Sequence, residues 1–409
     1  MKFPMSLKIL QIVPAISLVY GGPSQMVRGF SAALARQGVN LTILTTDANG
    51  DIGQPPLDVP LDRPVCQQGY QVRYFRCSPS RRYKFSIDLL RWLWKNAPDY
   101  DIAHIHALFS PVTSAAAWVA RQRGLPYILR PLGTLDPADL QKKKQLKQIY
   151  AALLEKGNIA GAAALHFTAD REAEISDRFG AKTRDLVIPL GVSPPTKPET
   201  DPLDILKSHL PNLKFDRPWI LFLSRIEPKK GLDLLIPALE KLLSEGLEFQ
   251  FILTGSNPQD PEYEAGIQRQ IAASPLANCT AIAGFVTGDL KAALLRRADL
   301  FVLPSYYENF GIAVAEAMVA GTAVAISDRV HICDRVGESE SGWVGACDVE
   351  SVAGMLKSAL ENPEECKRRG SNARACAIEH YSWDAIARQT VAAYQSILEA
   401  CNSKLGNGK

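Results

Sequence analysis

Short apolar runs alternate with amphipathic stretches through the first half of the chain. Ile9–Val13, Leu41–Leu44, Val72–Phe75, Ile102–Ala107 and Tyr127–Leu129 are compact and rich in branched side chains, and each reads as a buried strand. Between them, Met26–Gln37 and Ser114–Arg123 place apolar residues at helical spacing and stop at Gly38 and Gly124. Asp185–Pro189 closes this half. Strand, helix and strand in that order predict a parallel sheet with helices on both faces. Ser193–Pro202 is then rich in proline and polar residues, as linkers are.

After it the alternation restarts. Trp219–Ser224, Phe249–Thr254, Thr280–Phe285, Leu300–Pro304 and Val324–Ser327 read as strands, with helices over Leu232–Ser244, Asp289–Ala298 and Ile312–Ala320. The pattern predicts an α/β fold of two Rossmann-like, doubly wound parallel-sheet domains facing each other. The expected domains are residues 1–193 and 203–383, joined by the linker 194–202. A last helix, Asp384–Glu399, has no sheet partner of its own.

Composition adds bounds. At 409 residues, 46% hydrophobic and 22% charged, the chain suits a globular protein of two domains. The eight cysteines stand singly, without a Cys-x-x-Cys pair, which points to reduced thiols of a cytoplasmic protein rather than a disulfide framework or zinc knuckle. Lys8 interrupts the first apolar stretch, against a signal peptide. No run of about 20 apolar residues is present to span a bilayer. The first half is net basic and the second net acidic; that is either an electrostatic bias toward an anionic partner or ordinary uneven surface charge.

In open parallel sheets, ligands bind beyond the carboxyl ends of the strands, where loops enter helix N-termini. Three such loops hold unusual residues. Gly21-Gly22-Pro23 follows the first strand, and its glycines let a ligand approach backbone at a positive helix end; a tight turn without function is the alternative. Ser224–Gly231 opens a helix with Arg225, a planar bidentate donor, and Lys230, a point charge, which together complement a diphosphate. Ser305–Gly321 carries Glu308 in a loop and Glu316 inside the following helix, about 8 Å apart along its axis. Two carboxylates so spaced can grip hydroxyls at opposite ends of a nucleotide sugar whose diphosphate rests at the helix N-terminus. Glu316 lies in an otherwise apolar helix and needs a partner there.

The pattern Ser-x-x-Glu-x-Phe-Gly-x-x-x-x-Glu-Ala-Met-x-x-Gly, filled by Ser305, Glu308, Phe310, Gly311, Glu316, Ala317, Met318 and Gly321, resembles the family-4 retaining glycosyltransferases of GT-B fold. The likeness extends to Arg225, Lys230 and Gly231, to Gly255, and to Gly284-Phe285-Val286. It implies that Arg225 and Lys230 neutralise the diphosphate and that Glu316 holds the ribose. Glu308 and the backbone at Asn309, Phe310, Gly311 and Ile312 would hold the donor sugar, with the Gly284–Val286 backbone near the base. The final helix, to about residue 400, would cross back to complete the first domain.

Asp101-Ile102-Ala103-His104-Ile105-His106 resembles the family's Asp-x-x-His-x-His strand, and strand alternation puts both histidines on one face. His106, nearer the carboxyl end, would contact the donor sugar; His166 reads as structural. Arg130-Pro131-Leu132-Gly133-Thr134 resembles a segment of members that assemble bacterial exopolysaccharide and lipopolysaccharide, which makes Arg130, Gly133 and Thr134 acceptor-side candidates. Asp99-Tyr100-Asp101 matches a metal-binding Asp-x-Asp only formally, because it precedes its strand. No metal or bound cofactor is expected; the co-substrate would be a UDP-sugar and the acceptor a saccharide or polyprenyl-linked saccharide, with no nucleic acid involved. The basic run 141–150 could rest on the inner face of an anionic membrane or be a solvated helix face. Three rivals stay open: a UDP-sugar epimerase of the same fold, a non-catalytic sugar-nucleotide sensor, and a nicotinamide oxidoreductase, for which the glycine-rich fingerprint is missing.

Overall fold

The computed structural model describes residues 7–50, 54–79, 81–141, 144–195, 200–211 and 213–406. The chain divides into two compact units, Met1–Gly191 with Trp383–Lys409, and Val192–Ser382. Residues 196–199 of the expected linker 194–202 lie outside the described residues.

The first unit is built on an eight-stranded sheet. Its strands are β1 (Lys8–Ile12), β2 (Asn40–Thr46), β3 (Val65–Gln67), β4 (Tyr70–Phe75), β5 (Ile102–His106), β6 (Tyr127–Arg130), β7 (Ala164–Phe167) and β8 (Asp185–Val187). They lie in the order β3-β4-β2-β1-β5-β6-β7-β8. All described pairings are parallel except β3 on β4. That edge hairpin was not foreseen, because β3 is short and half-polar; its signal was Gln68-Gly69, whose φ values of 43° and 88° form the two-residue turn that matches strand twist. The helix Trp383–Gly406 packs on the helix Gly22–Arg36, and its Tyr394 and Ile397 join Phe30 and Leu34 in one apolar cluster.

The second unit carries β9 (Trp219–Leu223), β10 (Gln250–Thr254), β11 (Thr280–Gly284), β12 (Leu300–Leu303), β13 (Ala323–Ser327) and β14 (Gly342–Gly345). Their order is β11-β10-β9-β12-β13-β14, parallel throughout. Strand order reverses beside β9, so the loops after β9 and β12 flank the topological switch point. The long helix Pro363–Tyr381 packs on the helix Ile312–Ala320. Sequence periodicity passed over it because its buried seam is Cys366, Gly370, Ala373, Cys376 and Ala377, small residues that weaken the apolar signal. All eight cysteines are free thiols. No helix among the described residues is long and apolar enough to cross a membrane.

Candidate functional site

In the second unit, the backbone leaving β9 turns through Ser224–Glu227 into a short turn, Pro228–Lys230, and Gly231 then caps the helix Leu232–Ser244 in the left-handed conformation. Two glycines make this loop possible. A Cβ on Gly231 would stand 2.1 Å from the Pro304 carbonyl oxygen, and one on Gly255 would stand 1.7 Å from that of Ser224. The ends of β9, β10 and β12 therefore meet backbone to backbone. Gly255→Ala, at φ +130°, should cost at least about 3 kcal/mol. Calorimetry should register it as a fall of roughly 6–12 °C in the transition of this unit. Asn257, which the sequence reading missed, pins the same loop by donating from Nδ2 to the Ile226 carbonyl at 2.9 Å.

This loop presents the expected cations unequally. Arg225 is half exposed and meets Glu227 at 2.5 Å. The Lys230 side chain is only 8% exposed and is paired with Glu308. The sequence placed these two residues on different parts of one ligand; the structure joins them directly.

Glu308 is held by its backbone as well. Its N–H donates to the Arg329 carbonyl at 3.2 Å, and its own carbonyl accepts from His331 N–H at 3.0 Å. Tyr306 N–H donates to the Lys229 carbonyl at 2.9 Å and Tyr306 Oη to Asp233 at 2.7 Å, tying this segment to the Lys230 turn. Asn309 is hydrogen-bonded by Tyr307. Phe310 is buried edge-on against Tyr381, with ring centres 5.3 Å apart, so only its backbone can face a ligand. Gly311, at φ +81°, caps the helix Ile312–Ala320. Glu316 finds the partner it needs in Lys291, at 2.7 Å. These two line a small cavity of about 150 Å³ together with Gly288 and Ser193. Gly284 and Val286 flank Phe285, whose ring is 76% exposed.

In the first unit, Gly21, at φ +70°, precedes the helix Gly22–Arg36, and open space surrounds the Cα of both glycines. β5 ends at His106, in register with Arg130 on β6. His104 and His106 do share one face, stacked with ring centres 4.6 Å apart. Both are fully buried. His166 Nε2 donates to the Ile188 carbonyl at 2.8 Å, which leaves its Nδ1 to accept from His104 Nε2 at 3.1 Å. His104 Nδ1 then accepts from Tyr394 Oη at 2.8 Å. Neither ring nitrogen of His106 has a partner. Burial first, and the Arg130 charge second, hold the His106 pKa well below its usual range. Burial likewise lowers His104, with the neighbouring histidines and Arg130 adding to it, and brings His166 to about 3.

Arg130, one of the acceptor-side candidates, is buried. It is 2% exposed, donates from Nη1 to Met26 Sδ at 2.9 Å, leaves Nε without a partner, and has its pKa lowered to about 10 by burial. Gly133 and Thr134 lie in the turn beyond it, where Thr134 Oγ1 donates to the Pro131 carbonyl at 2.8 Å. The loops after β5 and β6 hold three non-glycine residues at positive φ: Ala107, Phe109 and Leu132. Such strain persists only where the surroundings enforce it, and it collects at functional loops. Glu155 does so here, accepting from Phe109 N–H and Ser114 Oγ at 2.7 Å each. No local sequence signal marks Glu155. Asp101, by contrast, sits at the amino end of β5, accepting from Lys8 N–H at 2.8 Å. Among the described residues no three His, Cys, Asp or Glu side chains group as metal ligands.

A nucleotide-sugar enzyme is the class that these loops suggest, and comparison with known proteins bears on it. Residues 21–191 match the family model for a glycosyl transferase 4-like domain, and residues 208–375 match that for glycosyl transferases group 1. The chain belongs to this glycosyltransferase family and has the GT-B fold. It is similar to a D-inositol 3-phosphate glycosyltransferase of Gordonia bronchialis, 27% identical over 93% of this chain and 85% of that one. An uncharacterized glycosyltransferase of Methanocaldococcus jannaschii is 32% identical over 45% of this chain and 46% of its own length. The alignments thus span about half the length of the first curated relatives. Among solved structures, Anabaena HepE in complex with UDP and glucose superposes with a TM-score of 0.68 at 20% identity, over 95% of this chain and all of that one.

Proposed function

We propose that the protein transfers a hexose from a UDP-sugar, with retention of configuration and without a metal, to a saccharide or lipid-linked saccharide in polysaccharide assembly. The observation that carries this reading is the Lys230–Glu308 pair, set beside Arg225 at the topological switch point of the second sheet. A paired cation and carboxylate are what a diphosphate and a sugar hydroxyl would separate, the phosphate taking the ammonium and the hydroxyl the carboxylate. Glu316 is the group offered to the ribose. The exposed Phe285 ring gives a uracil an apolar surface beside the Gly284 backbone. Anabaena HepE, of the same fold, holds UDP and glucose.

The sequence marks no residue as a covalent nucleophile, and on this reading departure and attack occur on one face of the sugar. The bond from C1 to the β-phosphate oxygen breaks, the acceptor oxygen bonds to C1, and its proton passes to the departing phosphate. Arg225 and Lys230 stabilise the charge that grows on that phosphate. His106 is the first unit's candidate for the reaction. Arg130, Gly133 and Thr134 lie on the acceptor side, and the basic run 141–150 brings the enzyme to the cytoplasmic face of a membrane.

A donor panel, read as nucleoside diphosphate release with and without lipid-linked saccharides, tests the reading. UDP release that rises with acceptor supports it. Donor converted to an epimer without acceptor, or no turnover of any donor, sinks it.

A further inference from the structure

The segment carrying the basic run has a more specific character than a charged helix. It folds as Lys144–Tyr150, a wider π turn over Ala151–Glu155, and Lys156–Gly161. Along it Leu146, Ile149, Leu153 and Leu154 are 64, 59, 76 and 46% exposed. Four large aliphatic side chains left in water on one short segment are unfavourable unless something covers them. Trp118, on the helix Pro111–Gln122, is 47% exposed and shares a groove of about 460 Å³ with Leu153 and Leu154. Trp94, on the helix Ile87–Asn96, stacks on Trp118 with ring centres 6.0 Å apart, and the Arg123 guanidinium lies 5.4 Å over its ring.

The ridge is held in place from beneath. Glu155 is 1% exposed and accepts from Phe109 N–H and Ser114 Oγ, Ser114 Oγ meets Tyr150 Oη at 2.8 Å, and Asn158 Nδ2 donates to the Ser114 carbonyl at 3.0 Å. Glu155 is also the only carboxylate between Lys144 and Gly161, and it is buried. The exposed cations on and beside the ridge are Lys144, Lys156, Arg121 and Arg123, while the nearby acids Asp88 and Asp139 are paired with Arg91 and Lys147. Apolar side chains and tryptophans ringed by lysine and arginine, with no exposed acid on the segment, complement an anionic bilayer.

We propose that Leu146, Ile149, Leu153 and Leu154, with Trp94 and Trp118, enter the headgroup–acyl boundary of an anionic membrane, while the surrounding cations meet lipid phosphates. The purpose of this contact rests on the lipid-linked acceptor proposed above, but its measurement needs neither donor nor acceptor. The full chain is floated with vesicles of phosphatidylcholine containing about 30% phosphatidylglycerol, and with phosphatidylcholine alone. Binding is expected to the first and not the second, and to weaken with added salt. The double variant Leu153→Glu/Leu154→Glu should lower it by roughly tenfold or more. The substituted side chains are exposed, so the variant should keep the wild-type melting temperature and its UDP release with a water-soluble acceptor.

Flotation of the variant at the wild-type level overturns the proposal, as does wild-type protein that ignores both vesicles. So does a sedimentation result in which the variant abolishes a dimer and vesicles are never bound, since the ridge then covers a second copy. A protein that glycosylates lipid-linked acceptor yet ignores vesicles defeats the ridge and spares the transferase. One that floats as expected but turns over no donor does the reverse.

Discussion

Replacing Lys230 by alanine should lower kcat by about 10²–10³-fold, the loss typical of removing one well-placed charge stabiliser from a transition state. Lys230 is the sequestered cation of the site, 8% exposed on a turn whose path depends on the Gly231 contact with Pro304. A flexible surface lysine would lose part of its effect to motion and hydration; this one is already positioned. The substitution also leaves the Glu308 carboxylate, 22% exposed, without its partner. Breaking a fully buried pair costs several kcal/mol, and partial exposure reduces that here to about 1–3 kcal/mol. The two effects are separable. Lys230→Met with Glu308→Gln should restore stability without restoring turnover. Glu308→Gln alone should free the ammonium, so that UDP binds severalfold tighter while transfer from the UDP-sugar falls. Arg225→Ala, half exposed and paired only with a neighbour on its own loop, should reduce kcat without changing the melting temperature. Steady-state kinetics beside calorimetry decides the matter. A folded Lys230→Ala enzyme with near wild-type kcat would remove this lysine from the mechanism.

That pair also shows where sequence reading stops. Glu308 and Glu316 were legible because a motif of fixed spacing surrounds them, and Arg225 and Lys230 because they follow an obvious strand. Lys230 and Glu308 are 78 residues apart, however, and nothing local says that they meet. Lys291 and Glu316 were joined in the same way by folding, across 25 residues. The strands that were visible are continuous apolar runs buried on both faces, which parallel sheets require. Those overlooked were β3, a half-polar edge, β7, Ala164–Phe167, a four-residue strand interrupted by His166, and β14, Gly342–Gly345, whose glycines carry little strand signal. The burial of Arg130 beside three histidines is a property of the assembled sheet that its local sequence does not announce, since arginine is usually exposed. Leu146 and Ile149 sit at helical spacing, which normally denotes a face turned to the core; only the structure shows that face uncovered.

The buried histidines predict a steep loss of stability in mild acid. His104, His106 and His166 are each 2% exposed or less and are held neutral chiefly by burial. The hydrogen bonds agree with neutral rings: Tyr394 donates to His104, His104 to His166, and His166 to the Ile188 carbonyl, so no ring is required to carry two protons. Their folded pKa values lie below the unfolded value of about 6.5, and His166 reaches about 3. The unfolded chain therefore binds more protons in this range, and stability rises with pH. It is complete above pH 6.5 and is lost as pH falls toward the folded values. One pH unit below 6.5, each neutral ring has lost roughly 1.4 kcal/mol, and the three together about 4 kcal/mol. Thermal unfolding followed from pH 7.5 to 5 should show that fall concentrated below 6.5. His106→Leu isolates one share of it, because His106 has no hydrogen bond to lose. That variant should be at least as stable as wild type at pH 7 and show about a third less pH dependence. An acid profile identical to wild type would mean that His106 titrates alike in the folded and unfolded chain, and that burial does not hold its ring neutral.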